Sequence, residues 1–318
     1  MPKSFDPAKD IPDLSGRVIL VTGGNAGLGA ATVEALAPHK PECIYLCARN
    51  VSTAEALVQK IHQTSPNANI KILALDLASL DSVKKCASEF NDQASRLDIL
   101  FLNAGISMQE PSLTQEGYEV TFGVNHLGHA LLTQLLLPKM LETKNSDPKA
   151  DLRIVLTSSI GAFMFGPKGG LLLSEMKEPA GPHFKSAPVR YGHSKLANLL
   201  FAKKLAQLYP GITSTSVHPG TVKSEIWGRA KAAKIMMYAL SPIVWLTGVT
   251  TEVGAWCQLW AATAPVQKGQ VESGMYYEPV GVLKAGSKEA QSQDLTDELW
   301  EWTERELAVH GGPGWPKA

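Results

Sequence analysis

Cysteine is scarce in this chain. Its four cysteines, Cys43, Cys47, Cys86 and Cys257, contain no CxxC pair. They are too few and too scattered for a disulfide framework or a zinc site, and they fit a reducing compartment, so a cytoplasmic location is expected. An excess of either charge is missing as well. With 30 Lys and Arg against 30 Asp and Glu, the attraction on which nucleic-acid binding rests is absent, and no DNA or RNA partner is expected. Long apolar runs are also lacking. The longest uncharged apolar stretch, 235–251, is interrupted by Ser241, Pro242 and Gly248, whereas a bilayer span takes about 20 mostly apolar residues. A spanning helix is therefore not expected, and contact with a membrane surface is left open without being expected. Residues 1–16 carry Lys3, Asp6, Lys9, Asp10 and Asp13 and no apolar centre. They read as a polar arm, not a secretory signal.

What is present suffices for a core. The chain has 318 residues, 44% hydrophobic and 19% charged, with no repeat or low-complexity tract, and a single domain over 1–318 is expected. Aliphatic and β-branched runs alternate with segments of helical spacing, which implies an α/β, doubly wound parallel sheet of about seven strands with helices on both faces. Strands are predicted at 17–22, 43–48, 70–74, 97–102, 152–157, 213–218 and, more weakly patterned, 274–277. Helices are predicted at 29–38, 53–64, 79–90, 118–141 and 189–208, with Thr53 and Ser79 as N-caps, and a final amphipathic helix across 292–310. Two segments break the alternation: 160–188, rich in Gly, Pro and Phe, and 223–250, rich in Met, Trp and Leu. They are expected to form an insertion and a lid at the carboxyl ends of strands, where this architecture binds ligands.

Directly after the first predicted strand, Thr22-Gly23-Gly24-Asn25-Ala26-Gly27-Leu28-Gly29 turns into a helix. Glycines let backbone N–H groups approach a pyrophosphate, and the helix N-terminus adds positive partial charge. Glycines at a strand end can also be simple turn residues, but the coincidence of strand, glycines and helix favours dinucleotide binding. Roughly 20 residues on, where an NAD enzyme offers a carboxylate to the ribose 2′-hydroxyl, stand Ala48 and Arg49. A guanidinium binds the 2′-phosphate that a carboxylate would repel, so NADP(H) is expected; the other reading is an ordinary exposed arginine. Further on, Tyr191 and Lys195 lie at i and i+4, on one face of a predicted helix, and Ser158-Ser159 close the fifth strand. A phenol with a pKa of about 10 is a poor acid at neutral pH, and a neighbouring ammonium lowers it. On spacing alone such a pair is mostly an accident of the surface.

Taken in order, the residues resemble the short-chain dehydrogenase/reductase family. The series runs Thr22-Gly23-x-x-x-Gly27-x-Gly29, Asp76-Leu77, Asn103-Ala104-Gly105, Asn125, Ser159, Tyr191-x-x-x-Lys195 and Pro219-Gly220, within about Gly16 to Gly274. Asn125-His126-Leu127-Gly128-His129 and Ser194-Lys195-Leu196-Ala197-Asn198 are most similar to its retinol-dehydrogenase-like branch. The resemblance implies a Rossmann-type fold and a set of roles. Tyr191 would protonate a carbonyl oxygen, Lys195 would hold the nicotinamide ribose and tune Tyr191, Ser159 would bind the substrate carbonyl, and Asn125 would hold a water leading to Lys195. Gly23, Asn25, Gly27, Leu28 and Gly29 would cradle the cofactor phosphates, Asp76 and Leu77 the adenine, and Asn103, Ala104 and Gly105 the adenosine ribose side. Pro219, Gly220 and Val222 would serve the nicotinamide carboxamide side, and Ser224 falls where the family often has a threonine near the phosphates. The chain departs from compact members by the length between Ser159 and Tyr191, which makes 160–188 an insertion at the substrate mouth. Ser159 is preferred to Ser158 because Ile160-Gly161 fits the family's strand ending.

Other readings compete for some residues. His126 and His129, three apart on a helix, could bind metal, but no further ligand adjoins them in sequence, so no metal is expected. Gly192-His193-Ser194-Lys195-Leu196 lacks the final glycine of a nucleophile elbow. Phe163, Met164 and Phe165 with Trp227, Met236 and Met237 are expected to line a pocket for a bulky apolar or aromatic ketone or aldehyde, core packing or a subunit contact being the plainer alternative. The expected activity is that of an NADPH-dependent carbonyl reductase, reversible as an alcohol dehydrogenase. Reduction of an activated C=C or C=N bond and non-catalytic NADP sensing are the alternatives. A homo-oligomer, paired through 118–141 and 189–208 as is frequent in the family, is also expected.

Overall fold

The computed structural model describes residues 4–178, 180–181, 183–223, 248–267 and 269–318. Most of the predicted lid, with Ser224, Trp227, Met236 and Met237, therefore lies outside the described residues. Strands β1 (Val18–Thr22), β2 (Cys43–Ala48), β3 (Ile70–Ala74), β4 (Ile99–Leu102), β5 (Leu152–Thr157), β6 (Ile212–Val217), β7 (Tyr276–Glu278) and β8 (Val282–Lys284) form one sheet in the order β3-β2-β1-β4-β5-β6-β7-β8. All neighbours are parallel except β7 and β8. The chain direction of sheet growth reverses between β1 and β4, which opens the crevice where doubly wound sheets bind ligands.

The apolar runs are legible because β1, β2, β4 and β5 are buried along their whole lengths. At the edge, β3 exposes Lys71 and Ala74. The eighth strand went unpredicted: Val282–Lys284 is three residues of an antiparallel hairpin with Leu283 half exposed. So short an edge strand carries no apolar signature.

One face of the sheet is covered by helices Leu80–Gln93, Gly128–Ser146, Ala187–Leu208 and Gln293–Val309, the other by Gly27–Leu36, Val51–Thr64 and Thr251–Thr263. Ser79 caps its helix as expected, but Thr53 does not. Asn50 is the cap, its Oδ1 accepting from Thr53 N at 3.3 Å, because the helix starts at Val51. The predicted helix at 118–141 is compound: a turn Val120–Phe122, a π-helical segment Gly123–Leu127 and the helix Gly128–Ser146. Nor is the insertion bare loop, since it contains the helix Gly161–Met164 and the 3-10 turn Leu173–Glu175. The opening arm is anchored as well as polar, with Phe5, Ile11 and Leu14 buried. Among the described residues no helix is long and apolar enough to cross a membrane.

The last helix docks on the helix that carries Tyr191. Trp300 lies 5.7 Å from the Phe201 ring, Trp302 lies 5.6 Å from Phe122, and Asp297 pairs with Lys204. The helix Ala187–Leu208 is thus in contact with the chain's own C-terminal helix.

Arg153 fixes the far end of the sheet. Its guanidinium is fully buried, pairs twice with Asp151, and donates to Ala261 O at 3.1 Å and Ala264 O at 2.9 Å. Arg153→Met leaves two helix-end carbonyls without their donor and takes the buried partner from Asp151, and should cost about 3 kcal/mol. Arg17, 3.9 Å from the same Asp151 but partly exposed, should cost under about 1 kcal/mol as Arg17→Ala. Urea unfolding checks both, and equal losses would remove burial as the cause.

Candidate active site

The Gly-rich turn leaves β1 and enters Gly27–Leu36 with Ala26 at the N-cap, where no side chain caps the helix. The first-turn N–H groups thus lack the usual capping partner and suit an anion. A Cβ at Gly29 would collide with the Gly23 carbonyl and come 2.7 Å from Asn103 Nδ2, so only glycine lets the helix begin this close to the strand ends. Around Gly27 nothing lies within 4 Å of such an atom, which leaves a cradle open. Asn25 Nδ2 donates to Thr53 Oγ1 at 2.6 Å, tying this turn to the helix after β2, and Arg49 is exposed at the end of β2. After β3, Asp76 Oδ1 accepts from Ala78 N at 3.0 Å, and buried Leu77 meets the start of Gly128–Ser146 at Gly128.

Thr22 joins β1 to the end of β4. Its hydroxyl oxygen accepts from Asn103 N at 2.9 Å and Ala104 N at 3.0 Å, and Asn103 Nδ2 donates to Thr22 O at 2.8 Å. Next in the chain, a Cβ at Gly105 would stand 3.1 Å from Asn125 Oδ1 and 3.4 Å from Lys195 Nζ. The two residue sets predicted to face the cofactor and the substrate therefore meet at Gly105.

Asn125 is fully buried in the π-helical segment. Its Oδ1 accepts from Ile106 N at 2.8 Å, and its Nδ2 donates to Ile106 O at 3.0 Å and Ser194 Oγ at 2.9 Å. Lys195 is buried too, with Nζ donating to Thr157 O at 2.8 Å and lying 5.8 Å from the centre of the Tyr191 ring. Desolvation brings its pKa down to about 8. Burial pushes the Tyr191 phenol up, and a hydrogen bond with the Ser159 side chain works against that rise. Ser158, the other serine, is buried and donates to Lys195 O at 2.7 Å. The structure thus brings Asn125, Ser159, Tyr191 and Lys195 to one place at the carboxyl ends of β4 and β5.

The insertion packs directly on this place. A Cβ at Gly192 would approach Gly166 N to 2.6 Å and Gly161 O to 2.7 Å, so the residue after Tyr191 must be glycine for Gly161–Met164 to lie against it. Phe163 packs edge-on against Tyr276 at 5.2 Å, Met164 is 64% exposed, and Phe165 is half-buried. Phe163 also borders a cavity of about 60 Å³ with Ala162, Gly166, Pro167 and Leu196. Neither Ser159 nor Tyr191 lines this cavity, so it is not the expected substrate pocket. After β6, beyond Pro219 and Gly220, Val222 bridges Val249, with Lys223 N donating to Val249 O and Val249 N to Thr221 O, both at 2.8 Å.

Three buried polar residues escaped the sequence reading. Arg190 donates to Phe184 O and to Gln109 O, the latter at 2.6 Å, with Nε 3.4 Å from Glu119. It fastens the insertion, the loop after β4 and the Asn125 segment beside Tyr191. Gln258 accepts from Thr157 Oγ1 at 3.0 Å and donates to Asn103 Oδ1 at 3.3 Å. Glu119 caps the turn before Asn125, accepting from Thr121 N and Phe122 N. The one available signal was polarity within otherwise apolar helical segments. Among the described residues no group of three potential ligands could hold a metal ion. His126 bonds Thr303 Oγ1 at 2.9 Å, and burial pulls the imidazoles of His126 and His129 down to about 3 and about 4.

The family model for short chain dehydrogenase matches residues 17–171. A short-chain dehydrogenase/reductase of Armillaria gallica is 36% identical over 308 residues, covering 95% of this chain and 94% of that protein. Human retinol dehydrogenase 11 is 33% identical over 290 residues, covering 91% of this chain and 85% of its own. A crystal structure of an uncharacterised protein from Mycobacterium Paratuberculosis superposes with a TM-score of 0.72 at 26% identity, covering 95% of this chain and 97% of that one. With the eight-stranded sheet and these full-length relatives, the chain belongs to the short-chain dehydrogenase/reductase family of oxidoreductases.

Proposed function

We propose that this protein is an NADPH-dependent carbonyl reductase, reversible as an alcohol dehydrogenase, that acts on a bulky apolar or aromatic ketone or aldehyde with Tyr191 as proton donor and, in the reverse direction, acceptor. The observation that carries this reading is the Lys195 ammonium, 5.8 Å from the Tyr191 ring, together with the approach of that ring and Ser159 Oγ at Gly161, whose Cβ would stand 3.1 Å from Tyr191 Cε1 and 3.3 Å from Ser159 Oγ. A dinucleotide fits the uncapped helix start, the open cradle at Gly27 and the Arg49 guanidinium at the end of β2. Gly23, Asn25, Gly27, Leu28 and Gly29 would hold its phosphates, Arg49 its 2′-phosphate, Asp76 and Leu77 its adenine, and Asn103, Ala104 and Gly105 its adenosine ribose. Pro219, Gly220 and Val222 would serve its carboxamide end. When bound, the nicotinamide supplies or takes up the hydride.

The chain's own residues manage the oxygen and its proton. Ser159 and Tyr191 would hold the carbonyl oxygen between two hydroxyls, which polarises the C=O bond. As negative charge gathers on that oxygen, Tyr191 gives up its proton, and the Lys195 charge lowers the cost of the phenolate left behind. Asn125, bonded to Ser194 Oγ and Ile106, stands on the route by which Lys195 would recover a proton. An apolar substrate is supported by exposed Ile160, which follows Ser159, and exposed Met164 one turn on, and by the retinol in the name of a relative.

Tyr191→Phe should lower kcat by about 10²-fold or more while NADPH still binds, as followed by NADPH absorbance and by titration of protein fluorescence. Persistent turnover would remove Tyr191 as the acid, and NADPH binding without oxidation by wild type across ketones, aldehydes and quinones would favour the sensor. Arg49→Ala should raise KM for NADPH about tenfold, the worth of one charge-assisted contact, and leave KM for NADH nearly unchanged. Equal effects on the two cofactors would remove the 2′-phosphate assignment. Reduction needs the ammonium and the protonated phenol together, and Lys195 loses its charge as pH rises through about 8. The rate of reduction should therefore be level below that value and fall above it in a kcat/KM profile, and a profile rising through the same range would contradict the assignment.

A further inference from the structure

We propose that His129 is a positioning residue, whose one imidazole ties the main chain at Asn125 to Thr22 and through it to the Asn103-Ala104 turn. The proposal rests on the reductase reading for its kinetic consequence alone. His129 is 1% exposed in the first turn of Gly128–Ser146. Its Nδ1 lies 3.1 Å from the Asn125 carbonyl oxygen and its Nε2 lies 2.9 Å from Thr22 Oγ1.

The direction of every bond in this chain follows from the groups involved. A carbonyl can only accept, so Nδ1 carries the hydrogen and Nε2 of the neutral ring is left as an acceptor. Thr22 must then donate its hydroxyl hydrogen to Nε2, at 2.9 Å, in preference to Phe101 O at 3.2 Å. That leaves the lone pairs of Thr22 Oγ1 for Asn103 N and Ala104 N, at 2.9 and 3.0 Å, and no capacity of the hydroxyl is unused. The ring stays neutral because burial and the nearby Lys195 charge both oppose a second cation.

The neighbouring histidines do something else. His126 reaches Thr303 on the last helix, and His193 Nε2 accepts from Leu172 N of the insertion at 2.9 Å. Only the His129 ring, of these three, spans from a helix to the turn expected to hold the cofactor. It does so at the π-helical segment, where Gly128 N bonds back to Gly123 O and the widened turn sets Asn125 against Ile106 and Ser194. A shift of Thr22 relative to Asn125 would move the cofactor cradle relative to the proton-handling side chains, and the imidazole opposes that shift.

Long-range ¹H–¹⁵N spectra of the full-length protein should show His129 as the neutral Nδ1–H tautomer with and without NADPH. An Nε2–H ring, or an imidazolium at neutral pH, would overturn the proposal. His129→Phe fills the space without either bond. At saturating NADPH, with a carbonyl compound that wild type reduces, it should lose about tenfold or more in kcat with little change in the carbonyl KM. His129→Gln, which can still accept from Thr22, should recover part of the loss. An unchanged kcat in folded His129→Phe would also overturn the proposal; if that variant does not fold, His129→Gln and the tautomer decide. Absence of NADPH oxidation by wild type with every carbonyl compound offered would sink the reductase reading alone, and the tautomer would still test the imidazole link.

Discussion

A lysine ammonium buried beside a phenol is an expensive thing for a protein to hold, and much of this structure is explained by the need to hold it. Lys195 is 3% exposed, with Thr157 O as acceptor at 2.8 Å. Thr157 ends β5, and its hydroxyl is in turn bonded to Gln258 from a helix on the opposite face of the sheet. The ammonium position is therefore set by the sheet and by both helical layers. An isolated charge in such surroundings would lose its proton or find water. Here the strand-end carbonyl offsets part of the desolvation, and the group stays poised near neutrality.

The same logic explains why the insertion is a fixture. Arg190 and His193 flank Tyr191 in sequence, and both bond insertion backbone, at Phe184 O and Leu172 N. Gly192 between them lets Gly161–Met164 sit in direct contact. The residues flanking Tyr191 are thus also those that anchor the insertion. A change that loosens the insertion therefore also reaches the helix turn that carries Tyr191.

How much of this could be read from residues alone follows from the range of the interactions. β1, β2 and β5 were legible because each is buried throughout and so must be apolar throughout. The turn at Gly23–Gly29 was legible because its glycines answer a local steric need. β8 was not, being short and half exposed. Arg190, Gln258 and His129 were passed over or read as ordinary, because their partners come from distant segments: Arg190 meets Gln109, and Gln258 meets Asn103. Their meaning is a property of the closed fold, and local periodicity carries no trace of it. Thr53 illustrates the smaller error, since a helix that begins two residues early moves the cap to Asn50.

The pairing of Val222 with Val249 brings together the two feet of the segment between them. The closure is made by the backbone of Thr221, Val222, Lys223 and Val249. The entropy of a closed loop grows only slowly, by about 0.6 kcal/mol for each doubling of its length. A change in the number of residues between these two feet therefore costs little in closure entropy.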